Sequence, residues 1–278
     1  MAMIDTLMTR LHELTIILYA LSVLLYFIDF LHHNRKANRT AFWLLLFVWI
    51  LQTVFLFLYM LEVGRFPVLT LREGLYFYTW VLVTFSLVIN RLMRVDFIVF
   101  FTNVIGFSIM VIHTFAPMEM GIKVTAEKLV SELLLIHITA AILSYGAFSL
   151  SFVFSLLYLL QYNLLKQKKW GKRLVRIPDL SRLEQMSYIM NVIGTPMLLI
   201  GLILGTQWAY LKIPDILWFD PKILGSIFTL AAYCLILYMR IRKGISGKTL
   251  ALWNVAAFLT VLINFFLTGS ISSFHIWL

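Results

Sequence analysis

The chain reads as an all-α polytopic membrane protein, a helical bundle of eight transmembrane helices with both termini outside. Three observations predict this. Of 278 residues, 62% are hydrophobic and only 13% charged, against about a quarter charged in an ordinary globular domain. Apolar runs of about 20 residues recur along the whole length, enough to cross a hydrocarbon core of about 30 Å. Basic residues collect on alternate connections, the pattern left by the positive-inside rule.

The eight predicted spans are 11–31, 40–61, 73–90, 95–115, 129–162, 186–211, 222–241 and 250–269. Asp5 and Arg10 precede the first, His12 and Glu13 lie at its start, and the run is itself span-length. No small-residue cleavage pattern follows it, so a retained helix rather than a signal peptide is expected. Arg35, Lys36 and Arg39 precede the second span, and Arg91 and Arg94 separate the third from the fourth. The fifth is the longest, and the sixth contains Pro196. The seventh opens at Asp220-Pro221, an N-cap followed by the residue suited to the first helical position. All should be helices, because lipid leaves single spans no other way to satisfy their backbones. Strands of a barrel would alternate apolar and polar over about ten residues. No polar stretch is long enough to bury its own core, so 1–278 reads as one integral membrane domain.

Charge sets the orientation. Arg35, Lys36, Arg39, Arg91, Arg94, Lys166, Lys168, Lys169, Lys172, Arg173, Arg176, Arg182, Arg240, Arg242, Lys243 and Lys248 make 16 of the 23 basic residues, all on one set of loops. That side is expected to be cytoplasmic. The net charge of +10 then reads as loops facing an anionic leaflet, and no nucleic acid is expected. The most basic connection, 163–185, suits a lipid-facing amphipathic segment or a cytoplasmic protein partner. Cys234 is the only cysteine and is expected to be buried, so disulfides, thiolate metal sites and Cys-x-x-Cys chemistry are excluded.

The candidate site lies on the opposite side. Gly205–Lys222 reads GTQWAYLKIPDILWFDPK, between two long apolar runs. His137 precedes it in LLIHITAAILSYGAF, and His275 follows it in LTGSISSFHIWL. His137 lies inside a span, where an ionisable side chain faces a cavity or a partner. Ser144 and Ser151 share its helix face, so a small-residue helix contact explains it equally. His275, beside Phe274 and Trp277, also suits an interfacial aromatic belt, as do Trp208, Trp218 and Phe219. Together, two imidazoles and an aromatic surface suit haem iron and the flat porphyrin around it. His113 and His12 compete as iron ligands on the same side. Arg65 and Arg72 are candidates for pairing porphyrin propionates; alternatively Arg72 pairs with Glu73 at a helix start.

These segments resemble the cytochrome c assembly family of haem-handling membrane proteins (CcsA/ResC, CcmC, CcmF). GTQWAYLKIPDILWFDPK with ILGSIFTLAAYCLILYMR resembles its tryptophan-rich signature. LLIHITAAILSYGAF resembles its first external-histidine helix, INFFLTGSISSFHIWL its closing stretch, and GRFPVLTLREGLYFYTW its early loop. The resemblance runs from about residue 62 onward, in the family's order. It implies that His137 and His275 are external haem ligands, that Trp208 and Asp220 belong to the haem-cradling loop, and that Pro67 and Glu73 belong to the early loop. Most tryptophans of the family pattern WGxxWxWD are missing here, where Leu217, Trp218 and Phe219 precede Asp220. Tyr238 stands where larger members carry a further histidine. Both departures favour one outer haem site over a through-membrane haem path.

The implied role is that of a non-enzymatic regulatory or accessory factor in haem biosynthesis, lowering the level of glutamyl-tRNA reductase, in a bacterial plasma membrane. A haem delivery or lyase component of cytochrome c maturation is the alternative. A small-molecule permease is the third reading, for which Asn191–Pro196 would mark a broken helix.

Overall fold

The computed structural model describes residues 2–93, 96–116, 132–168, 177–212 and 219–267. Among these there are eight helices and no strand: α1 (Ala2–His32), α2 (Arg35–Val63), α3 (Leu71–Met93), α4 (Asp96–Phe115), α5 (Glu132–Lys166), α6 (Leu180–Lys212), α7 (Pro221–Lys243) and α8 (Gly247–Leu262). A π-helical turn, Ile263–Leu267, continues α8. Seven of the eight are long and apolar enough to cross a membrane. The other, α3, has 23 residues, about 34 Å at the helical rise. Its hydropathy is lowered by Arg72, Glu73, Tyr76, Tyr78, Thr79 and Trp80, and Glu73–Thr79 is continuously buried. Protein rather than lipid therefore surrounds its polar residues.

The residue distribution is inverted relative to a soluble protein. Ile17, Phe57, Phe228 and Ile241 are more than half exposed, while Thr15, Asn103, Ser151 and Asn254 are buried. Such surfaces are stable only where the surroundings are as apolar as the side chains, and the protein is accordingly a multi-pass membrane protein. Cys234 follows the same rule: it is exposed on α7, not buried as expected, because an apolar residue of a spanning helix finds an apolar medium outside the protein.

The helices divide into two compact units, α1–α4 and α5–α8. In the first, Asn34 caps α2 by accepting from the N–H groups of Lys36 and Ala37. Gly64 ends that helix at φ 71°, a left-handed position that costs glycine no Cβ clash. Asn103 ties three helices together: Tyr19 of α1 donates to its Oδ1 at 2.9 Å, and its Nδ2 donates to Ser86 Oγ of α3 at 2.9 Å. Trp49 Nε1 donates to Thr84 Oγ1 and Trp80 Nε1 to Thr53 Oγ1, joining α2 to α3 twice. Asp29 is buried and accepts from Asn38 Nδ2 at 2.9 Å across the α1–α2 turn.

In the second unit α5 lies along α6, and glycines allow the close approach. A Cβ at Gly194 would sit 2.7 Å from the Phe148 ring, and one at Gly201 would sit 3.4 Å from the His137 carbonyl oxygen. Lower in the same interface is a neutral polar seam. Asn191 Nδ2 donates to Asn254 Oδ1 at 3.1 Å, and Asn254 Nδ2 lies 2.7–3.0 Å from Ser151 O and the hydroxyls of Ser151, Ser155 and Ser187. These contacts bind α5, α6 and α8 where polar groups have no water to turn to.

Two differences from the sequence reading concern α6. Helix α6 begins at Leu180, inside the predicted basic loop, because Leu183 is buried and Glu184 bonds Arg240 at 2.8 Å. The same carboxylate accepts from Gly247 N at the start of α8. The second difference is that α6 runs unbroken through Pro196, so Asn191–Pro196 is not the interruption that the permease reading needs.

Candidate functional site

His137 lies one turn into α5 and projects onto α6. Its Nδ1 meets the carbonyl oxygen of Gly201. A carbonyl only accepts, so Nδ1 carries the proton and Nε2 keeps its lone pair. Nε2 enters none of the described hydrogen bonds. This is the arrangement of a metal-ligating histidine whose second nitrogen is anchored to a backbone carbonyl. The ring rests on Gly205, where a Cβ would lie 2.5–2.9 Å from three of its atoms. Only glycine leaves room there. The spacing Gly201-x-x-x-Gly205 puts both residues on one helix face, one to bond the imidazole and one to admit it.

The end of the unit is completed by α7 and the π-turn. Asp220 is buried and accepts from Lys222 N at 2.8 Å, with Pro221 at the first helical position. The cap predicted from Asp220-Pro221 is thus formed. It fixes Lys222, which is half-buried and close enough to act on His137 electrostatically. Lys222 Nζ donates to the Asn264 carbonyl at 2.6 Å, and lies 5.9 Å from the Phe265 ring centroid. Asn264 Nδ2 donates to Tyr145 Oη at 2.8 Å and meets Ser226 Oγ at 3.1 Å. A π-turn shifts the backbone pairing register, and here an Asn264 carbonyl within it accepts from a side chain.

Of the other predicted residues, Trp208 is half-buried on the last turns of α6, and Phe219 is 84% exposed just ahead of Asp220. His275 and Trp218 lie outside the described residues. Lys222, Gly201, Gly205, Tyr145 and Asn264 were not singled out in the sequence as site residues. The small-xxx-small pair in GLILG was the available signal for the glycines. Asn264 and Tyr145 gave none, because their meeting depends on how α8 packs on α5. Tyr238 is 52% exposed on α7.

The first unit holds the remaining candidates. Arg65 forms a two-pronged ion pair with Glu73, Nη1 to Oε2 at 2.8 Å and Nη2 to Oε1 at 2.9 Å, and Tyr59 Oη donates to the same carboxylate. Arg65 is therefore held by protein, and it is Arg65 rather than Arg72 that takes Glu73. Arg72 makes none of the described ion pairs. His12 and His113, from α1 and α4, meet each other, their ring centroids 4.8 Å apart. His32 is exposed at the end of α1. Among the described residues, no group of three His, Cys, Asp or Glu converges.

For haem iron, the described residues fit one ligand: an imidazole anchored at Nδ1, a cleared face at Gly205, and a cation in Lys222, itself beside the Phe265 ring. The sequence itself carries family relationships consistent with such a group. The family described as "Cytochrome C assembly protein" matches residues 68–275. Protein HemX of Bacillus subtilis (strain 168) is 63% identical over 273 residues, covering 98% of this chain and 99% of that protein. Protein HemX of Brevibacillus brevis is 48% identical over 96% of this chain and 97% of its own length. Cytochrome c biogenesis protein CcsA of Cyanophora paradoxa is 27% identical over 78% of this chain and 76% of its own. On that match, which takes in α3 to α8 and the segments between them, the chain belongs to the cytochrome c assembly protein family.

Proposed function

We propose that the protein binds one haem at the His137 end of the second unit and acts as a regulatory or accessory factor in haem biosynthesis, a negative effector of the glutamyl-tRNA reductase level. His137 and His275 would hold the haem iron, and haem would supply the iron and chromophore. The observation that carries the reading is the His137 Nδ1 contact with the Gly201 carbonyl, over Gly205. It leaves the ligating nitrogen basic and holds the ring in one orientation. Trp208, Trp218 and Phe219 would supply aromatic surface to the porphyrin, and Lys222 would supply a cation for a propionate. Asp220 places Lys222 by capping α7.

In this reading the haem site faces outward, with both termini, because the basic loops face the cytoplasm. The loop 163–185 meets the anionic leaflet and a cytoplasmic protein partner. The role is not enzymatic: Cys234 is alone and exposed on an apolar helix, so the chain brings no thiol chemistry to a site. The test is the absorption spectrum of membrane-purified protein. A Soret band is expected in the wild type and its loss in His137→Ala and His275→Ala. An unchanged band in both variants rejects the assignment.

The second reading is haem delivery for cytochrome c maturation, favoured by the relationship with cytochrome c biogenesis proteins. It needs a partner to present apocytochrome thiols. A strain lacking this gene should then lose covalent haem from cytochromes c. Normal cytochrome c there, with altered glutamyl-tRNA reductase, favours the regulatory role.

A further inference from the structure

The first unit contains a group of buried polar atoms that its own hydrogen bonding does not use. His12 of α1 leaves both ring nitrogens buried without a partner, His113 of α4 leaves Nδ1 so, and Tyr76 of α3 leaves its hydroxyl so. His113 is 5% and Tyr76 2% exposed. The three rings are neighbours: His12–His113 4.8 Å, His113–Tyr76 5.3 Å and His12–Tyr76 6.0 Å between centroids. Phe55 of α2 packs against Tyr76 and His12 at 4.7 and 6.0 Å and closes the group with an apolar ring. A buried polar atom left without a partner is destabilising, because it has given up water and gained nothing in return. A direct hydrogen bond between the two imidazoles would relieve one atom on each, and none is made.

The spacing of the rings indicates what relieves them. A metal bound at about 2.0–2.1 Å by an imidazole nitrogen lies about 3.2 Å from the ring centroid. Two such rings as adjacent ligands, at about 90–110°, have centroids about 4.5–5.2 Å apart. On opposite faces of a haem iron they would be about 6.4 Å apart. The observed 4.8 Å matches adjacent ligation and not a haem sandwich. Neutral imidazole is a ligand for Zn, Cu, Fe and Ni, and a phenol oxygen can complete the set. The rings are too close to admit an organic headgroup between them.

We propose that His12, His113 and Tyr76 form a binding site for one first-row divalent transition-metal ion, with the two imidazoles as adjacent ligands and the tyrosine hydroxyl as third donor. The charged groups acting on the pair are Arg72, on both histidines, and Glu13, on His12. Arg72 opposes the cation, so affinity is held below that of an all-histidine cage, and the site releases its metal.

Purified full-length protein, stripped with EDTA, is titrated with Zn2+, and with Co2+ as a visible probe of coordination. Bound metal is counted after gel filtration. About one Zn2+ per chain is expected to depend on this site, with affinity falling at least about tenfold in His12→Gln and in His113→Gln. His137→Gln should leave this metal in place. Arg72→Gln should bind several-fold tighter, which a purely structural role for the histidines would not produce. Equal Zn2+ affinity in the wild type and the His12→Gln/His113→Gln double variant overturns the proposal. So does a Soret band that disappears in that double variant while Zn2+ binding is unchanged. If the histidine variants do not fold, Arg72→Gln decides alone: unchanged or weaker Zn2+ binding overturns it.

Discussion

The two units each bury histidine near a helix end, and they treat it in opposite ways. In the second unit the imidazole of His137 is anchored by one nitrogen to a backbone carbonyl and seated on a glycine. In the first, the His12 and His113 rings meet edge-on, their centroids 4.8 Å apart, with three nitrogens unsatisfied. An anchored ring is presented in one orientation, ready for a ligand that arrives with its own plane, as haem does. An unanchored pair gains its partners only when something small arrives between them. The difference teaches that histidine count alone does not define a site. What the second nitrogen bonds decides which ligand a ring can take.

The sharpest way to break this comparison is Gly205→Leu. The new side chain occupies the place of the His137 ring, so the Soret band should vanish and the protein should lose about 1–3 kcal/mol of stability from overpacking. Retention of haem by this variant in an absorption spectrum would show that the ring does not need its seat. Lys222→Met comes next. Removal of a charge-assisted contact worth about 1.5–3 kcal/mol should weaken haem binding by about tenfold or more. The position of the Soret maximum should not move, because no iron ligand changes; a haem titration checks both.

A third test concerns sign. In metal-free protein, His113→Phe removes an unsatisfied polar atom and should leave thermal stability unchanged or raised by up to about 1 kcal/mol. His137→Phe removes a satisfied bond and should lower it by a similar amount. Thermal melts of the two variants that move the same way would erase the contrast. The smallest effect is expected from Asp220→Ala, a lost N-cap of about 1 kcal/mol. It should also loosen Lys222 and lower haem affinity slightly, measurable in the same titration.

Much of the fold was legible in the sequence, because hydropathy and charge act over whole segments. The eight helices, the Asp220-Pro221 cap and the absence of strands among the described residues all follow from local rules. The site was legible in part. His137 stood out as an ionisable residue in an apolar run, and Gly201 and Gly205 left a weak mark through their spacing. Tyr145 and Asn264 are 119 residues apart, and no local pattern announces that contact. Adjacency in sequence offers Arg72 as a local partner for Glu73, one of two readings of Arg72, whereas the turn at Gly64 carries Arg65 back to Glu73 at the start of α3.

The sequence by itself determined that this chain crosses a membrane as helices, which family it resembles, and which histidines deserve attention. Those conclusions rest on additive properties: apolar area, loop charge and motif order. Only the tertiary structure decided which nitrogen of His137 is bonded, that Lys222 is close enough to act on it, and that the His12 and His113 rings meet. These depend on distances between segments far apart in the chain. Such distances are set by how glycines, ring faces and neutral polar seams let the helices pack, and no single segment encodes them.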